Sequence, residues 1–265
     1  MQDLTVTLVQ TFLHWGDREK NLAHLAEKLE DIPSTDLIIL PEMFTTGFIT
    51  DPTGVAEEMD GPAMGWMREM AFQKKAYLLG SLSMKVGEKY YNRMICMAPD
   101  GSYAQYDKRH PFRMGGEHLK FSKGNKRGIF AVKGWNVLPL ICYDLRFPVW
   151  CKNTFSGGRH AFDLIICVAN WPEVRSQAWT LLLKARAIDN QCYTIGVNRI
   201  GEDGNGISHS GDSAVSDPRG KIITGIEPHT EAVVTLTISR KELDEFRAAF
   251  PVGLDWDAFT IPEIE

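Results

Sequence analysis

The sequence predicts an α/β domain in which two mixed β-sheets pack together, with helices outside. The chain holds more strand-like runs than one open sheet comfortably accommodates. Helix-like segments separate some of these runs, whereas hairpin signals such as Pro99-Asp100-Gly101 separate others. No linker rich in Pro, Gly or Ser divides the 265 residues. We therefore expect a single domain over residues 1–265, with a C-terminal tail extending from the core from about residue 240.

The predicted strands are short runs that are either continuously apolar or alternate between apolar and polar residues. Runs of this kind are typical of sheets that are buried on one or both faces. They cover residues 4–10, 36–40, 76–84, 90–98, 101–106, 137–141, 163–169, 192–198, 208–216 and 232–238.

Four helices are predicted between and after these strands. Asp17 can cap the first, whose apolar residues recur at i, i+3, i+4 and i+7 from Leu22. Pro62 opens the second, which runs to about residue 74. The third covers 174–190 and is apolar around much of its girth, so we expect it to be mostly buried. The fourth covers 240–249.

Composition excludes several classes of protein. The chain is 44% hydrophobic and 24% charged, with a net charge of −5, and its main basic group, within residues 120–127, is interrupted and typical of a solvated surface. A nucleic-acid or membrane-surface protein usually shows basic clusters. The sequence has no apolar run of about 18 residues and no signal-peptide pattern at its start. We predict a cytoplasmic protein that binds neither nucleic acid nor membrane.

The five cysteines are not equivalent. Their odd number and the absence of a CxxC pair disfavour a disulfide framework or a cysteine zinc site, and no metal or cofactor is expected. Cys96, Cys167 and Cys192 lie in or beside strand-like runs and are typical of core thiols. Cys151 has no distinctive polar neighbours. Cys142 alone stands at a strand end, where a starting helix and a nearby cation can lower its pKa.

Polar residues follow four of the apolar strands at their carboxyl ends. These residues are Glu42, Cys142, Asn170 and Asn198. Parallel strands share one carboxyl edge, and sites of α/β sheets form at that edge. A carboxylate, a thiol and two amides are therefore expected to face one cleft. Each residue alone has an ordinary alternative: a solvated carboxylate for Glu42, or one more core thiol for Cys142.

A reactive thiol at Cys142 needs a partner, because an unperturbed thiol is only about 3% ionised at pH 7. None of the seven histidines stands at the end of an apolar strand. Glu42 is the better-placed base, since a carboxylate in a dry cleft has its pKa raised. Lys108, just after the run 101–106, is the candidate cation. The alternative for Lys108 is a surface lysine between two charged neighbours.

Three motifs carry a family resemblance. Glu42 in "LPEMFTTGF", Lys108 in "YDKRH" and Cys142 in "LICYDLRFP" resemble, in this order, the signatures of the nitrilase (carbon–nitrogen hydrolase) superfamily. "VANWPEVR" and "GISHSGDSAVSDPRGKII" resemble it too, so that the likeness covers about residues 4–238. "CYDLRFP" is similar to the amidase branches rather than to true nitrilases, in which Trp-Glu typically follows the cysteine. The combined motifs look most like those of bacterial omega-amidases.

The resemblance implies a four-layer αββα sandwich and a homodimer or larger assembly. It also implies that Cys142 is the nucleophile, Glu42 the general base and Lys108 the cation that stabilises the oxyanion. Glu117 in "GGEHLKF" best matches a second glutamate of the family, although the short connection from Lys108 departs from the commoner pattern. The backbone N–H of Tyr143 is expected to be a second oxyanion donor. No metal or other cofactor is implied.

The reaction implied by the resemblance is hydrolysis of the terminal carboxamide of a small dicarboxylic acid monoamide, such as 2-oxoglutaramate. The products are a carboxylate and ammonia, formed through a cysteine thioester. The far carboxylate of such a substrate requires a cation or several donors. The candidate substrate-binding residues are Arg113, Arg146, Arg175, Phe44, Tyr143, Asn170 and Trp171.

Several alternatives stay open at this point. Arg146 either binds substrate or pairs with a nearby acid, and Asp144 either supports the turn after Cys142 or contacts substrate. Each aromatic candidate could equally belong to the core. For function, the alternatives are another small-amide or N-carbamoyl amidase of the same superfamily, a papain-like cysteine hydrolase, and a non-catalytic binding protein.

Overall fold

The computed structural model describes residues 2–261, and in that range the strands form two six-stranded sheets and two small hairpins. The strands are β1 Leu4–Gln10, β2 Leu37–Ile39, β3 Tyr77–Val86, β4 Lys89–Met97, β5 Tyr103–Asp107, β6 Phe130–Val132, β7 Trp135–Ile141, β8 Phe155–Ser156, β9 Arg159–His160, β10 Leu164–Ala169, β11 Tyr193–Asn198, β12 Ile200–Glu202, β13 Ser208–Ser210, β14 Ala214–Ser216, β15 Ile222–Gly225 and β16 Ala232–Ile238. The helices are α1 Arg18–Lys28, α2 Pro62–Lys74, α3 Pro148–Cys151, α4 Ser176–Asn190 and α5 Arg240–Ala249.

Each six-stranded sheet has three parallel strands at its centre and antiparallel strands outside them. The first sheet has the order β16-β1-β2-β3-β4-β5, in which β1, β2 and β3 are parallel. The second has the order β15-β14-β11-β10-β7-β6, in which β7, β10 and β11 are parallel. The predicted pair of mixed sheets is confirmed.

Alternation along β1 shows how the first sheet is layered. Leu4, Val6 and Leu8 belong to the core cluster that also contains residues of the second sheet. Val9 faces the other way, into a second cluster that includes Leu25 of α1 and methionines of α2. Because successive side chains of a strand point to opposite faces, one face of this sheet meets its partner sheet and the other meets helices.

The outer face of the second sheet is covered by α4. Trp179 and Leu183 of α4 are buried, and they approach Gly196 of β11 so closely that a Cβ there would lie 2.5 Å from Leu183 Cδ1. Glycine at this position therefore lets the helix pack directly on the sheet. Together the layers form the expected αββα sandwich.

The expectation that the third helix is mostly buried was too strong. Only one side of α4 is buried, whereas Leu181 and Ile188 are exposed. The α-helix also begins at Ser176 rather than at residue 174, because Glu173–Arg175 form a 3-10 turn after Pro172.

Some predicted strands differ from the structure. β1 and β16 have the predicted bounds, but the run 208–216 is split between β13, which pairs with β12, and β14, which pairs with β11. Gly211 and Asp212 have φ values of 84° and 56°, and these left-handed residues interrupt the strand. The edge strands β6 and β15 were not predicted from sequence.

The predicted C-terminal tail does not leave the core at residue 240. Helix α5 is held by Asp163, whose Oδ1 lies 3.0 Å from Arg240 Nη1 and 2.8 Å from Arg247 Nη1. Leu243 of α5 is fully buried, and Gln191 Nε2 donates to the carbonyl of Phe250 over 2.6 Å. The helix therefore belongs to the outer layer of the sandwich. Within residues 2–261, no helix is both long and apolar enough to cross a membrane.

Candidate active site

Glu42 follows β2 and is fully buried. Its Oε1 accepts hydrogen bonds from Lys108 Nζ and from Asn92 Nδ2, both over 2.8 Å. Its Oε2 accepts from the backbone N–H of Asn170 over 2.8 Å. Since Asn170 follows β10, this bond joins the two sheets. Glu42 is therefore a fixed internal carboxylate and not a solvated loop charge.

Lys108 follows β5 and is only 1% exposed, so it is not a surface lysine. Its Nζ lies 2.8 Å from Glu42 Oε1 and 2.9 Å from Glu117 Oε2, and 5.1 Å from the centre of the Phe48 ring. Burial alone would lower the pKa of Lys108, but the charges of Glu117 and Glu42 outweigh burial and raise it. The side chain is a permanent ammonium at neutral pH.

Glu117 is fully buried in a 3-10 turn that begins after Gly116, whose φ is 77°. Its Oε2 accepts the backbone N–H of Phe112 as well as a hydrogen bond from Lys108. Burial raises the pKa of Glu117; the ammonium of Lys108 opposes this shift, and the charge of Glu42 adds to it. One ammonium thus serves two carboxylates.

Cys142 ends β7 and begins the 3-10 turn Cys142–Arg146. Its φ of 46° is left-handed, a strained conformation for a residue with a Cβ. Its Sγ lies 4.0 Å from the carbonyl oxygen of Asn170. Burial, followed by the charge of Glu42, raises the pKa of the Cys142 thiol, and Lys108 only partly opposes them. The expectation of a lowered pKa was wrong, and the resting thiol keeps its proton.

Asp144 supports the turn that carries this thiol. Its buried Oδ2 accepts from Tyr106 Oη over 2.8 Å and from the N–H of Ile141 over 3.1 Å. Its Oδ1 accepts from the N–H and from Nδ1 of His110 over 2.9 and 2.8 Å. The His110 ring in turn stacks on Phe147 at 3.8 Å. Of the two roles left open for Asp144, the structure supports the structural one.

A cavity of about 270 Å³ opens above Cys142. Aromatic side chains form much of its wall, and the segment 203–209, which contains the β12–β13 connection, contributes to another side. The aromatic residues of the wall are Phe48, Phe112, Tyr143 and Trp171. A space of this size admits a short linear molecule and excludes a folded polypeptide.

Two of the three predicted arginines line this cavity. The guanidinium of Arg146 lies 4.7 Å from the centre of the Trp171 ring, and that of Arg175 lies 5.6 Å from the centre of Phe112. In the part of the chain that the structure describes, neither forms an ion pair with a carboxylate, so the alternative of a structural acid partner for Arg146 is not supported. Arg113 is exposed and lies outside the cavity wall.

Phe44 is not part of the wall. It is fully buried in the layer between the first sheet and its helices, where its ring lies 5.8 Å from that of Trp66. A Cβ on Gly80 would lie 2.8 Å from the Phe44 ring, which shows how tightly this ring is packed against β3. Phe48, four residues further on, takes the predicted place in the wall.

The two predicted amides hold the site together in different ways. Asn170 donates its side-chain Nδ2 to the carbonyl of Glu42 over 2.6 Å and also lines the cavity. Asn198 does not line the cavity, but its Oδ1 and Nδ2 bind the N–H and carbonyl of Trp171 over 2.7 and 3.0 Å. Asn198 therefore fixes the position of a wall residue.

Sequence reasoning missed Asn92, Phe48, Phe112 and His209. Asn92 is a buried polar residue of β4 that is followed by Arg93 and then by the apolar run Met94–Met97, and this polar pair in a strand was the signal that could have identified it. No comparable signal marked the other three residues. Across residues 2–261, no group of His, Cys, Asp and Glu has an arrangement that could hold a metal ion.

The sequence is similar to known proteins along nearly its whole length. The carbon-nitrogen hydrolase family profile matches residues 5–248. The chain is 42% identical to the omega-amidase YafV of Escherichia coli (strain K12), over 98% of this chain and 100% of that protein. It is 30% identical to the 2-oxoglutaramate amidase of Bacillus subtilis (strain 168), over 94% of this chain and 95% of that protein.

A solved structure is similar along nearly the whole chain. It is the crystal structure of XC1258 from Xanthomonas campestris, described as a CN-hydrolase superfamily protein with an arsenic adduct in the active site. The TM-score is 0.97 at 44% sequence identity, and the match covers 99% of this chain and 100% of that one. The order of the layers described above therefore belongs to a fold that is already known.

Proposed function

The chain belongs to the carbon–nitrogen hydrolase (nitrilase) family and is a hydrolytic enzyme acting on amides, and we propose that it is an omega-amidase. The proposed substrate is the terminal carboxamide of a small dicarboxylic acid monoamide, such as 2-oxoglutaramate. The products are the dicarboxylate and ammonia.

One observation carries this proposal. The charges of the buried Glu42–Lys108–Glu117 array act on the thiol of Cys142. Cys142 in turn lines a small aromatic cavity whose wall contains two arginines without carboxylate partners among residues 2–261. The array supplies a base and a cation to a thiol, and the arginines supply charge for a substrate anion. Both halves of the proposed substrate thus have a counterpart in the site.

In the first step, Cys142 is the nucleophile and Glu42 the general base. Because the pKa of the thiol is raised, the proton has to leave as the sulfur attacks the amide carbon, and Glu42 receives it. The carbonyl oxygen becomes an oxyanion, and we propose that the Lys108 ammonium and the backbone N–H of Tyr143 stabilise it. One donor of this kind contributes about 3–4 kcal/mol to stabilisation of the transition state.

In the second step, the C–N bond breaks and Glu42 returns its proton to the departing nitrogen, which leaves as ammonia. The acyl group remains on Cys142 as a thioester. Glu42 then takes a proton from a water molecule, whose oxygen attacks the thioester carbon, and the C–S bond breaks. The thiolate regains the proton from Glu42, and the acid is released. Glu117 keeps Lys108 oriented throughout.

We propose that Arg146 and Arg175 bind the far carboxylate of the substrate. Each guanidinium is held against an aromatic ring and faces the cavity that contains Cys142. A charge-assisted hydrogen bond from an arginine to a carboxylate is about twice as strong as a neutral one. The names of the E. coli and B. subtilis relatives, an omega-amidase and a 2-oxoglutaramate amidase, support this substrate class.

We also propose a homodimer in the cytoplasm. Val174, Leu181 and Ile188 are 83%, 57% and 53% exposed and recur every seven residues along and just before α4. The spacing places Leu181 and Ile188 on one side of α4, and Val174 lies in the 3-10 turn that precedes the helix. We call these three exposed apolar residues the α4 row. We propose that this α4 row contacts a second copy of the chain.

Ammonia release from a panel of small amides tests the proposed function. We expect rapid turnover of 2-oxoglutaramate and related monoamides, and slow turnover of amides of the same length without a carboxylate. Equal release of ammonia and carbon dioxide from N-carbamoyl compounds would instead support the alternative N-carbamoyl amidase. The proposal would be contradicted if the folded protein released ammonia from none of these compounds although iodoacetamide alkylated its Cys142 thiol.

A further inference from the structure

Asn92 contacts three members of the buried array. It lies in the middle of β4 and is 1% exposed. Its carbonyl oxygen accepts from the backbone N–H of Lys108 over 2.9 Å. Its side-chain Nδ2 donates to Oε1 of Glu42 over 2.8 Å and to Oε1 of Glu117 over 3.1 Å. One uncharged amide therefore bridges the two carboxylates.

The orientation of this amide follows from electrostatics. The buried Oδ1 of Asn92 accepts no hydrogen bond from any residue in the range 2–261. Rotating the amide by half a turn would place Oδ1 against two carboxylate oxygens. Oδ1 and the carboxylate oxygens are all acceptors, so no hydrogen bond could form between them. The side chain thus leaves its own oxygen without a protein donor and presents both N–H groups to Glu42 and Glu117.

The need for such a bridge follows from the local charges. Glu42 and Glu117 share the single ammonium of Lys108. When two carboxylates share one buried site, one of them tends to take up a proton. Hydrogen bonds donated to a carboxylate favour its ionised form. A proton on Glu42 would remove the base that Cys142 requires, whereas the N–H groups of Asn92 oppose protonation of either glutamate.

We propose that Asn92 is a positioning residue that bridges Glu42 and Glu117 and keeps Glu42 ionised as the base for Cys142. This inference rests on the proposed function, because it takes Glu42 as the general base. Asn92 is thus a fourth buried side chain of the array. It is not among the residues that line the cavity, so it acts on the reaction through the two carboxylates.

The pH dependence of kcat/KM tests this role in the Asn92→Ala and Asn92→Ser variants. Without the amide, Glu42 binds a proton more readily, so we expect the acid limb of the Asn92→Ala profile to move upward by about one pH unit. Serine retains one donor and a smaller upward shift is expected. If both folded variants keep the wild-type acid limb, the proposal is overturned, whatever their rates.

Asn153→Ala is the matched control. Asn153 is also a buried asparagine, and its Nδ2 donates to the carbonyls of Phe162 and Asn190 over 2.9 and 3.2 Å, away from the array. Its loss should lower the melting temperature without moving the acid limb. If the acid limb moves equally in Asn153→Ala, the shift results from general destabilisation, and the proposed role of Asn92 is overturned.

A second measurement separates this inference from the substrate assignment. Because the pKa of the Cys142 thiol is raised, alkylation by iodoacetamide on the acid side also depends on Glu42 to take the thiol proton as the sulfur attacks, but it needs no amide substrate. We expect the acid limb of alkylation to move upward in Asn92→Ala and Asn92→Ser as well. If the wild-type protein hydrolyses none of the amides but alkylation shows this shift, the proposed function fails while the role of Asn92 stands. An unchanged alkylation limb overturns that role.

Discussion

The backbone N–H of Asn170 donates to Oε2 of Glu42 over 2.8 Å, and the side-chain Nδ2 of Asn170 returns to the carbonyl of Glu42 over 2.6 Å. This pair of bonds crosses from the second sheet to the first at their carboxyl edges. It engages one oxygen of the Glu42 carboxylate and leaves the other to Lys108 and Asn92. The orientation of the proposed base is thus set by both halves of the sandwich.

Replacing Cys142 separates catalysis from backbone strain. Cys142→Ala and Cys142→Gly should both abolish ammonia release and the trapping of a thioester. Because Cys142 has a φ of 46°, which only glycine adopts freely, we expect the glycine variant to be about 1 kcal/mol more stable than the alanine variant. Urea unfolding measures this difference. Turnover in either variant would remove Cys142 as the nucleophile.

Replacing Glu42 by glutamine should have opposite effects on catalysis and on ionisation of the Cys142 thiol. We expect kcat to fall by a factor of about 10²–10⁴, the usual contribution of a general base. The charge of Glu42 helps to raise the pKa of Cys142, so the thiol should ionise at lower pH in this variant. The ultraviolet absorbance of the thiolate, with the Glu42→Gln/Cys142→Ala double variant as the blank, measures that pKa. A pKa that rises would contradict the assigned charge of Glu42.

The sequence predicted the layers and the main polar residues for a physical reason. Apolar runs and turn residues act locally, and the carboxyl edge of parallel strands brings Glu42 and Cys142 toward one place. Local pattern does not show which of two nearby aromatic residues faces a cavity. The sequence therefore predicts Phe44 as a substrate-binding residue, whereas Phe48 lines the cavity wall. Similarly, the direction of the Asn92 side chain depends on how β4 is stacked against the opposite sheet.

The arginines in the cavity give a prediction about substrate selection. Arg146→Gln and Arg175→Gln should each raise KM for 2-oxoglutaramate by a factor of about 10–100, the value of one hydrogen bond to a charged group. Their effect on a neutral amide of the same length should be small. Arg113→Gln is the matched control, because Arg113 is exposed and lies outside the wall. An equal loss on charged and neutral amides would argue against carboxylate recognition.

The exposed α4 row gives a prediction about assembly. Leu181 lies at its centre and is 57% exposed in the isolated chain. Leu181→Glu should convert a dimer into a monomer, because a charge at the centre of an apolar contact loses its hydration. Sedimentation velocity measures the change. Phe72→Glu, which alters an exposed residue of α2 on the opposite outer layer, should leave the dimer intact. A monomeric wild-type protein would refute the proposed contact.

The ion pairs of Asp163 predict a pH-dependent stability. Burial alone would raise the pKa of Asp163, but its hydrogen bonds and the charges of Arg240 and Arg247 lower it from its ordinary value of 3.8. A lowered pKa in the folded state means that the contribution to stability is complete above about pH 5 and is lost as the pH falls through the folded pKa. Asp163→Asn should therefore cost about 3–5 kcal/mol at pH 7, because two buried guanidinium groups lose their partner.

Urea unfolding of wild type and Asp163→Asn at pH 7 and near pH 3 checks both parts of this expectation. The difference between the two proteins should narrow at the lower pH, where the wild-type carboxyl group starts to bind a proton. Lys241→Ala is the control: its pair with Glu245 spans 3.7 Å, and the two side chains are 81% and 65% exposed. An exposed pair of this kind contributes little at any pH. If Asp163→Asn were no less stable than Lys241→Ala at pH 7, the ion pairs of Asp163 would not be what holds α5 to the sandwich.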